Sequence, residues 1–309
     1  MTEPTARAVR FDRYGGPEVL YVAEVPMPVP AAGEVVVEVR ATAANPGEAS
    51  IRSGTFMPGS TEFPSGEGSD LAGVVSAVGE GVREFAVGDE VIGFSFQRSS
   101  HATHVAVPTG QLIPKPPQLS WPVAGSLYVV CCTAYSAVRA ANPRQGETVA
   151  VSAAAGGVGS VVVQLLRVRG ARVLGIASPA NADWLTAHGA TPVPYGEGLA
   201  DRLTAAAPDG INAFIDLFGP EYLELAVDLG IPRDRIETII SFELAEKLGA
   251  KHEGSVDAST KEVLAEMADL VASGSIEIPI AATYPLDQVA DAFRQLEQRH
   301  TRGKIVLIP

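Results

Sequence analysis

Two kinds of hydrophobic pattern divide the chain. Through the first third, short β-branched-rich runs at 6–11, 35–40, 71–78 and 90–92 are bounded by turn residues such as Gly15-Gly16-Pro17, Ala32-Gly33 and Gly79-Glu80-Gly81. Runs of this kind between glycine and proline predict short strands. With little helical spacing among them, they predict a compact β-barrel of roughly 120 residues. From about Trp121 the pattern changes. A strand at 147–152 leads through a glycine-rich turn into a helix reaching Arg169. A strand at 172–177 precedes a short helix at 181–187, and strands at 211–217 and 236–240 flank a helix at 221–229. Ser259-Thr260-Lys261-Glu262 reads as a capping box. It opens a helix to about Val271 whose Val263, Leu264, Met267, Leu270 and Val271 follow helical spacing. A helix at 287–298 and a strand at 304–308 close the chain. Strands alternating with helices predict a parallel, doubly wound sheet, so the fold class is α/β with a β-rich domain in front. No internal repeat is visible.

Charge narrows the partners. The 309 residues hold 23 Lys and Arg against 36 Asp and Glu, a formal net charge of −13. Nucleic acid and an anionic membrane surface would both repel such a chain. A hydrophobic fraction of 46% excludes wholesale disorder. The uncharged stretches 116–138 and 148–166 approach the length of a membrane span. Pro116, Pro117 and Pro122 interrupt the first and Gly156, Gly157 and Gly159 the second, so both read as buried soluble structure. Residues 1–16 are charged and lack an apolar core, so no signal peptide is expected. The cysteines, Cys131 and Cys132, are adjacent and cannot staple a fold, which fits a reducing, cytoplasmic setting.

The segment with most chemistry is Ser152-Ala-Ala-Ala-Gly156-Gly-Val-Gly159-Ser160, set between a strand and a helix. Glycines there let a pyrophosphate lie against the backbone at a helix N-terminus, where free N–H groups and the helix dipole hold its charge. Ala155, Gly156, Gly157, Val158 and Gly159 are therefore candidate cofactor residues. NAD sites place an acid at the end of the second strand. Here 173–182 holds no Asp or Glu, which favours NADP, although no Lys or Arg lies between Val173 and Ala200. Ser178, Asn181 and Tyr195 are the available donors.

Further motifs run the length of the chain: Gly15-Gly16-Pro17-Glu18-Val19-Leu20, Asn45-Pro46, Ile51-Arg-Ser-Gly54, Gly68-Ser-Asp-Leu-Ala-Gly-Val-Val75, Val87-Gly-Asp89, Thr133-Ala134 and Arg302-Gly-Lys-Ile-Val-Leu307. Together with the glycine turn they resemble the medium-chain dehydrogenase/reductase superfamily in its zinc-independent, quinone-oxidoreductase-like branch. The resemblance implies a GroES-like catalytic domain at 1–122, completed by 276–309, and a Rossmann NADP-binding domain at 123–275. It places Asn45 and Thr133 beside the nicotinamide, Leu217-Phe218-Gly219 and Ile240-Ser241 along the cofactor, and Lys304 near the cleft. It also implies a homodimer paired through edge strands, for which 236–240 is a candidate. Zinc-dependent relatives need a Cys after the first substrate-side strand and a His-Glu pair in the barrel. Asn45–Ser50 has no Cys, Gly66-Glu-Gly-Ser69 has no His, and His101 and His104 lack a third ligand, so no metal is expected.

The reading is then an NADPH-dependent oxidoreductase passing hydride to a small molecule, a quinone or an activated enone or enoyl double bond. Relatives carry tyrosines where this chain has Ser50 and Phe56. Tyr128 is a substitute acid or a packing residue, and Phe56, Phe63, Phe94 and Phe96 are candidates for an apolar substrate pocket. The departure leaves a second reading open: an NADPH-binding protein with little redox activity, serving a structural role or a non-redox biosynthetic step.

Overall fold

The structure is a computed structural model describing residues 4–56, 59 and 61–309. It contains two compact units. One comprises the residues up to Val129 together with Thr260–Ala272 and Ile280–Pro309; the other comprises Val130–Ser259 and Ser273–Pro279.

The first unit opens with β1 (Thr5–Phe11), β2 (Tyr21–Pro26) and β3 (Glu34–Ala44). Helix α1 (Pro46–Arg52) follows, then β4 (Ser65–Gly66), β5 (Asp70–Val78), β6 (Glu90–Phe94), β7 (His104–Pro108) and β8 (Leu112–Pro114). β3 is the spine. Its inward Val35, Val37 and Val39 pack with Leu71, Val75, Val91 and Val105 in one apolar cluster, and β5 and β7 pair antiparallel with it. The sequence pattern predicts no helix at 46–52, where α1 stands. It is a helix because Asn45 stands at its N-cap, Pro46 at the first position and Glu48 at the third, where Glu48 Oε2 accepts the Asn45 N–H at 3.0 Å.

After α2 (Trp121–Ala124) and α3 (Leu127–Ala141) comes the second unit's sheet: β9 (Thr148–Val151), β10 (Arg172–Ala177), β11 (Ala190–Pro194), β12 (Ala213–Asp216) and β13 (Ile236–Thr238). All neighbours are parallel, in the order β11-β10-β9-β12-β13. Every residue of β9 and β12 is buried, as expected when helices cover both faces. Those helices include α4 (Gly157–Val168), α5 (Ala182–Ala187), α6 (Leu199–Ala206), α7 (Pro220–Asp228) and α8 (Phe242–Leu248).

The chain returns to the first unit with α9 (Lys261–Ala272), β14 (Ile280–Pro285), α10 (Val289–Glu297) and β15 (Lys304–Ile308). β15 pairs with β3, closing Ile305 and Leu307 over Phe11 and Phe293.

Two sequence expectations are corrected here. The helix beginning after Ser259 belongs with the first unit, where α9 packs on β8. Its cap is Thr260, whose Oγ1 accepts the Val263 N–H at 3.2 Å, while the Ser259 hydroxyl donates to Ser255 O. The strand expected at 236–240 stops at Thr238, and an isolated bridge from Lys251 meets its outer side. Lys251 donates its N–H to Ile236 O at 2.8 Å and accepts from Thr238 N–H at 3.1 Å.

Candidate functional site

The residues assigned to a dinucleotide gather where the five parallel strands of the second unit end. The glycine turn follows β9, Ser178 and Asn181 follow β10, and Tyr195 follows β11. Leu217, Phe218 and Gly219 follow β12, while Ile240 and Ser241 follow β13. Ligands of open parallel sheets bind outside the carboxyl ends of the strands, where the strand order reverses. That reversal lies here between β9 and β12.

The turn after β9 has a specific backbone. Ala153 is left-handed (φ 46°), and the Ala154 N–H donates to Ile176 O at 3.0 Å, tying the turn to β10. Gly156 is the N-cap of α4 and offers no side chain to its first turn. The amides of Gly157, Val158 and Gly159 have no carbonyl one turn earlier to bond within the helix. The glycines differ in what they do. A Cβ on Gly159 would lie 2.1 Å from Ala153 O, so that position is required by the packing of helix on turn. A Cβ on Gly156 would meet only Ala153 O, at 3.2 Å, so that side stays open to an approaching group. The turn fits a pyrophosphate.

A residue that sequence reasoning missed organises the rest. Asp216 ends β12 fully buried. Its Oδ1 accepts from Ser152 Oγ (2.7 Å), Phe218 N–H (2.9 Å) and Gly219 N–H (3.2 Å), and its Oδ2 from Thr238 Oγ1 (2.8 Å). Ser152 Oγ in turn accepts the Leu217 N–H, and Thr238 Oγ1 accepts from the Ile240 and Ser241 amides. One carboxylate therefore holds the loops after β9, β12 and β13. Burial pushes its pKa up, and these bonds oppose that shift. The available signal was an acid closing an apolar run, Ala213-Phe-Ile-Asp216.

On the far side of the sheet, Asn181 Nδ2 donates to Ser178 Oγ at 3.1 Å, and the Tyr195 N–H donates to Ala177 O at 3.4 Å. Tyr195, Phe218 and Ile240 present exposed apolar side chains at their strand ends. Thr133 lies in α3, 6% exposed.

In the first unit, Asn45 joins a buried charged network. Its Nδ2 lies within hydrogen-bonding distance of Ala43 O (3.1 Å), Glu48 Oε1 (3.1 Å) and Asp70 Oδ2 (2.9 Å), and its Oδ1 accepts from Lys304 Nζ at 2.5 Å. Lys304 also donates to Ala44 O (3.3 Å) and stands 3.8 Å from Asp70 Oδ2. Asp70 is wholly buried, which raises its pKa against the pull of Lys304; its Oδ1 accepts the Val129 N–H at 2.8 Å. Beside it, Arg52 bridges Glu67 (3.3 Å) and Glu297 (2.6 Å) with its guanidinium over the Phe293 ring. Burial and the neighbouring Glu48 charge push Glu67 up to about 8.

The Asn45 amide is 3% exposed and has partners on both its oxygen and its nitrogen. Tyr128 is 5% exposed and stacks on Phe94, ring centroids 4.3 Å apart. Phe94 is 1% exposed at the end of β6, buried against that ring rather than in the loop expected of it. Phe56 and Phe63 are about two-fifths exposed, Phe63 lying edge-on to Phe11 and Tyr14. His101 is fully buried with Nε2 3.1 Å from Ala43 O. Cys131 and Cys132 are buried. Among the described residues no three His, Cys, Asp or Glu side chains are grouped to hold a metal ion. No helix of the described residues is long and apolar enough to cross a membrane.

With this geometry, known proteins can be compared. Residues 31–117 match the alcohol dehydrogenase GroES-like domain family, and residues 188–307 match a family described as zinc-binding dehydrogenase. A quinone oxidoreductase of Pseudomonas aeruginosa is 31% identical, over 98% of this chain and 100% of that protein. The structure of the Coxiella burnetii quinone oxidoreductase superposes with a TM-score of 0.90 at 28% identity, covering 99% of this chain and 100% of the other. The Escherichia coli quinone oxidoreductase complexed with NADPH gives 0.88 at 27%, covering 98% and 100%.

Proposed function

The chain belongs to the medium-chain dehydrogenase/reductase superfamily, in its quinone-oxidoreductase-like branch, and from that premise we propose a zinc-independent, NADPH-dependent oxidoreductase acting on a quinone or an activated enone or enoyl double bond. The observation that carries the reading is the set of loops after β9, β12 and β13 held by Asp216 beside the open glycine turn. Bound NADPH supplies a hydride. The α4 amides would hold its pyrophosphate, and the loops Leu217–Gly219 and Ile240-Ser241 would line its path. Ser178, Asn181 and Tyr195 offer donors to a ribose 2′-phosphate, with no acid between Val173 and Ala182 to repel it. Lys304 and Asp70 fix the amide of Asn45, and so the start of α1. The absence of a Cys from Asn45–Ser50 and of a His from Gly66–Ser69 supports chemistry without a zinc Lewis acid. Turnover measured after exhaustive chelation tests that part: activity should persist at its untreated rate, and loss restored by zinc alone would overturn it.

A further inference from the structure

A 2′-phosphate calls for a positive charge, and the segment 173–200 holds neither Lys nor Arg. Between Arg172 and Arg233 the sequence carries one, Arg202. The fold turns it back from α6 onto the loop that follows β11. Its Nε donates to Pro194 O at 3.0 Å, Nη2 to Gly196 O at 3.2 Å and Nη1 to Glu197 O at 2.7 Å. The first two carbonyls flank Tyr195, whose own N–H donates to Ala177 O, the residue before Ser178. Arg202 thus brings a cation to the paired ends of β10 and β11, where Ser178, Asn181 and Tyr195 already lie.

We propose that Arg202 is the specificity-determining residue for the 2′-phosphate of NADPH; the inference rests on the cofactor reading above. A guanidinium has five N–H groups, so three backbone bonds leave two for phosphate oxygens. Anchoring to backbone carbonyls holds the long side chain before any ligand arrives, which lowers the ordering cost of binding. Among the described residues no carboxylate pairs with Arg202, although Glu197 and Asp201 are its neighbours in sequence and temper its field.

Calorimetric titration of the whole chain and its Arg202→Gln variant with NADPH, NADH and adenosine 2′,5′-bisphosphate is the test. NADPH and the bisphosphate should each bind the variant about tenfold more weakly, about 1.4 kcal/mol, with NADH changed less than about twofold. Arg202→Lys keeps the charge and should keep most of the NADPH preference, which covers the case of a poorly folded Gln variant. Unchanged NADPH affinity, or equal losses for NADPH and NADH, would overturn the assignment, the second outcome marking a loop-holding role. A wild-type protein that binds neither nucleotide would overturn the cofactor reading itself, and this inference with it.

Discussion

Lys304 and Asn45, 259 residues apart in sequence, meet with Nζ 2.5 Å from Oδ1, and the pair lies over the buried carboxylate of Asp70. This contact joins the last strand of the first unit to the start of α1. It is the point at which the C-terminal return of the chain shapes the candidate site.

Breaking that arrangement on one side should be costly. Lys304→Met leaves Asp70 buried without its cation and should lower stability by about 3 kcal/mol. Asp70→Asn alone should also destabilise, because the Lys304 charge is then unmatched. The double variant should lose less than the sum, with a coupling of about 1 kcal/mol or more. Denaturant unfolding of the four proteins checks this.

The two glycines of the turn should separate folding from binding. Gly159→Ala forces a Cβ to 2.1 Å from a backbone oxygen and should destabilise the protein by about 3 kcal/mol. Gly156→Ala meets only one atom at 3.2 Å, so stability should change little while NADPH affinity falls. Thermal unfolding and calorimetry on both variants read the two effects apart. The sequence alone treats the two glycines as equivalent, since both match the spacing of a phosphate-binding turn.

Asp216→Asn keeps the shape but places an amide donor where hydroxyls and backbone N–H groups already donate. The loops after β9, β12 and β13 should loosen together, and NADPH should bind at least about tenfold more weakly. Calorimetric titration measures it, with Asp183→Asn as the control at an exposed-helix acid.

Glu237 gives a pH-dependent signature. It lies fully buried in β13, and burial, with the Glu253 charge adding to it and the Glu253 backbone opposing it, pushes it up to about 9. A raised acid is neutral in the fold and ionised in the unfolded chain, so stability falls as pH rises from about 4.5 to about 9 and levels off above that. Glu237→Gln removes this loss. The melting temperature of the variant relative to wild type should therefore climb between pH 5 and pH 9; a flat difference would contradict it.

Much of the second unit was legible because its strands are long apolar runs between breakers. Strand 172–177 of that unit, and 304–308 of the first, are found at the residues their apolar runs indicated. α1 was missed although its start signals are present, since Pro-Gly-Glu-Ala-Ser-Ile-Arg offers too few apolar residues for a period to show. α6 and α8 were missed for a related reason: each is short and buries few side chains. The charged network of Asn45, Asp70, Arg52 and Glu67 had no sequence signature at all. Its members are scattered over the chain, and an isolated acid beside an apolar run reads as a surface position until the fold buries it. Phe94 shows the converse, since an aromatic in an apparent loop is in fact the end of β6.

Oxidation of NADPH, followed at its absorbance band against a panel of quinones, enones and 2-enoyl thioesters, tests the assigned activity most directly. The expected result is enzyme-dependent loss of NADPH with at least one acceptor, one equivalent consumed per acceptor reduced, and a rate with NADH at least about tenfold lower at limiting cofactor. Tight NADPH binding without turnover of any acceptor would contradict it and leave a nucleotide-binding protein with little redox activity.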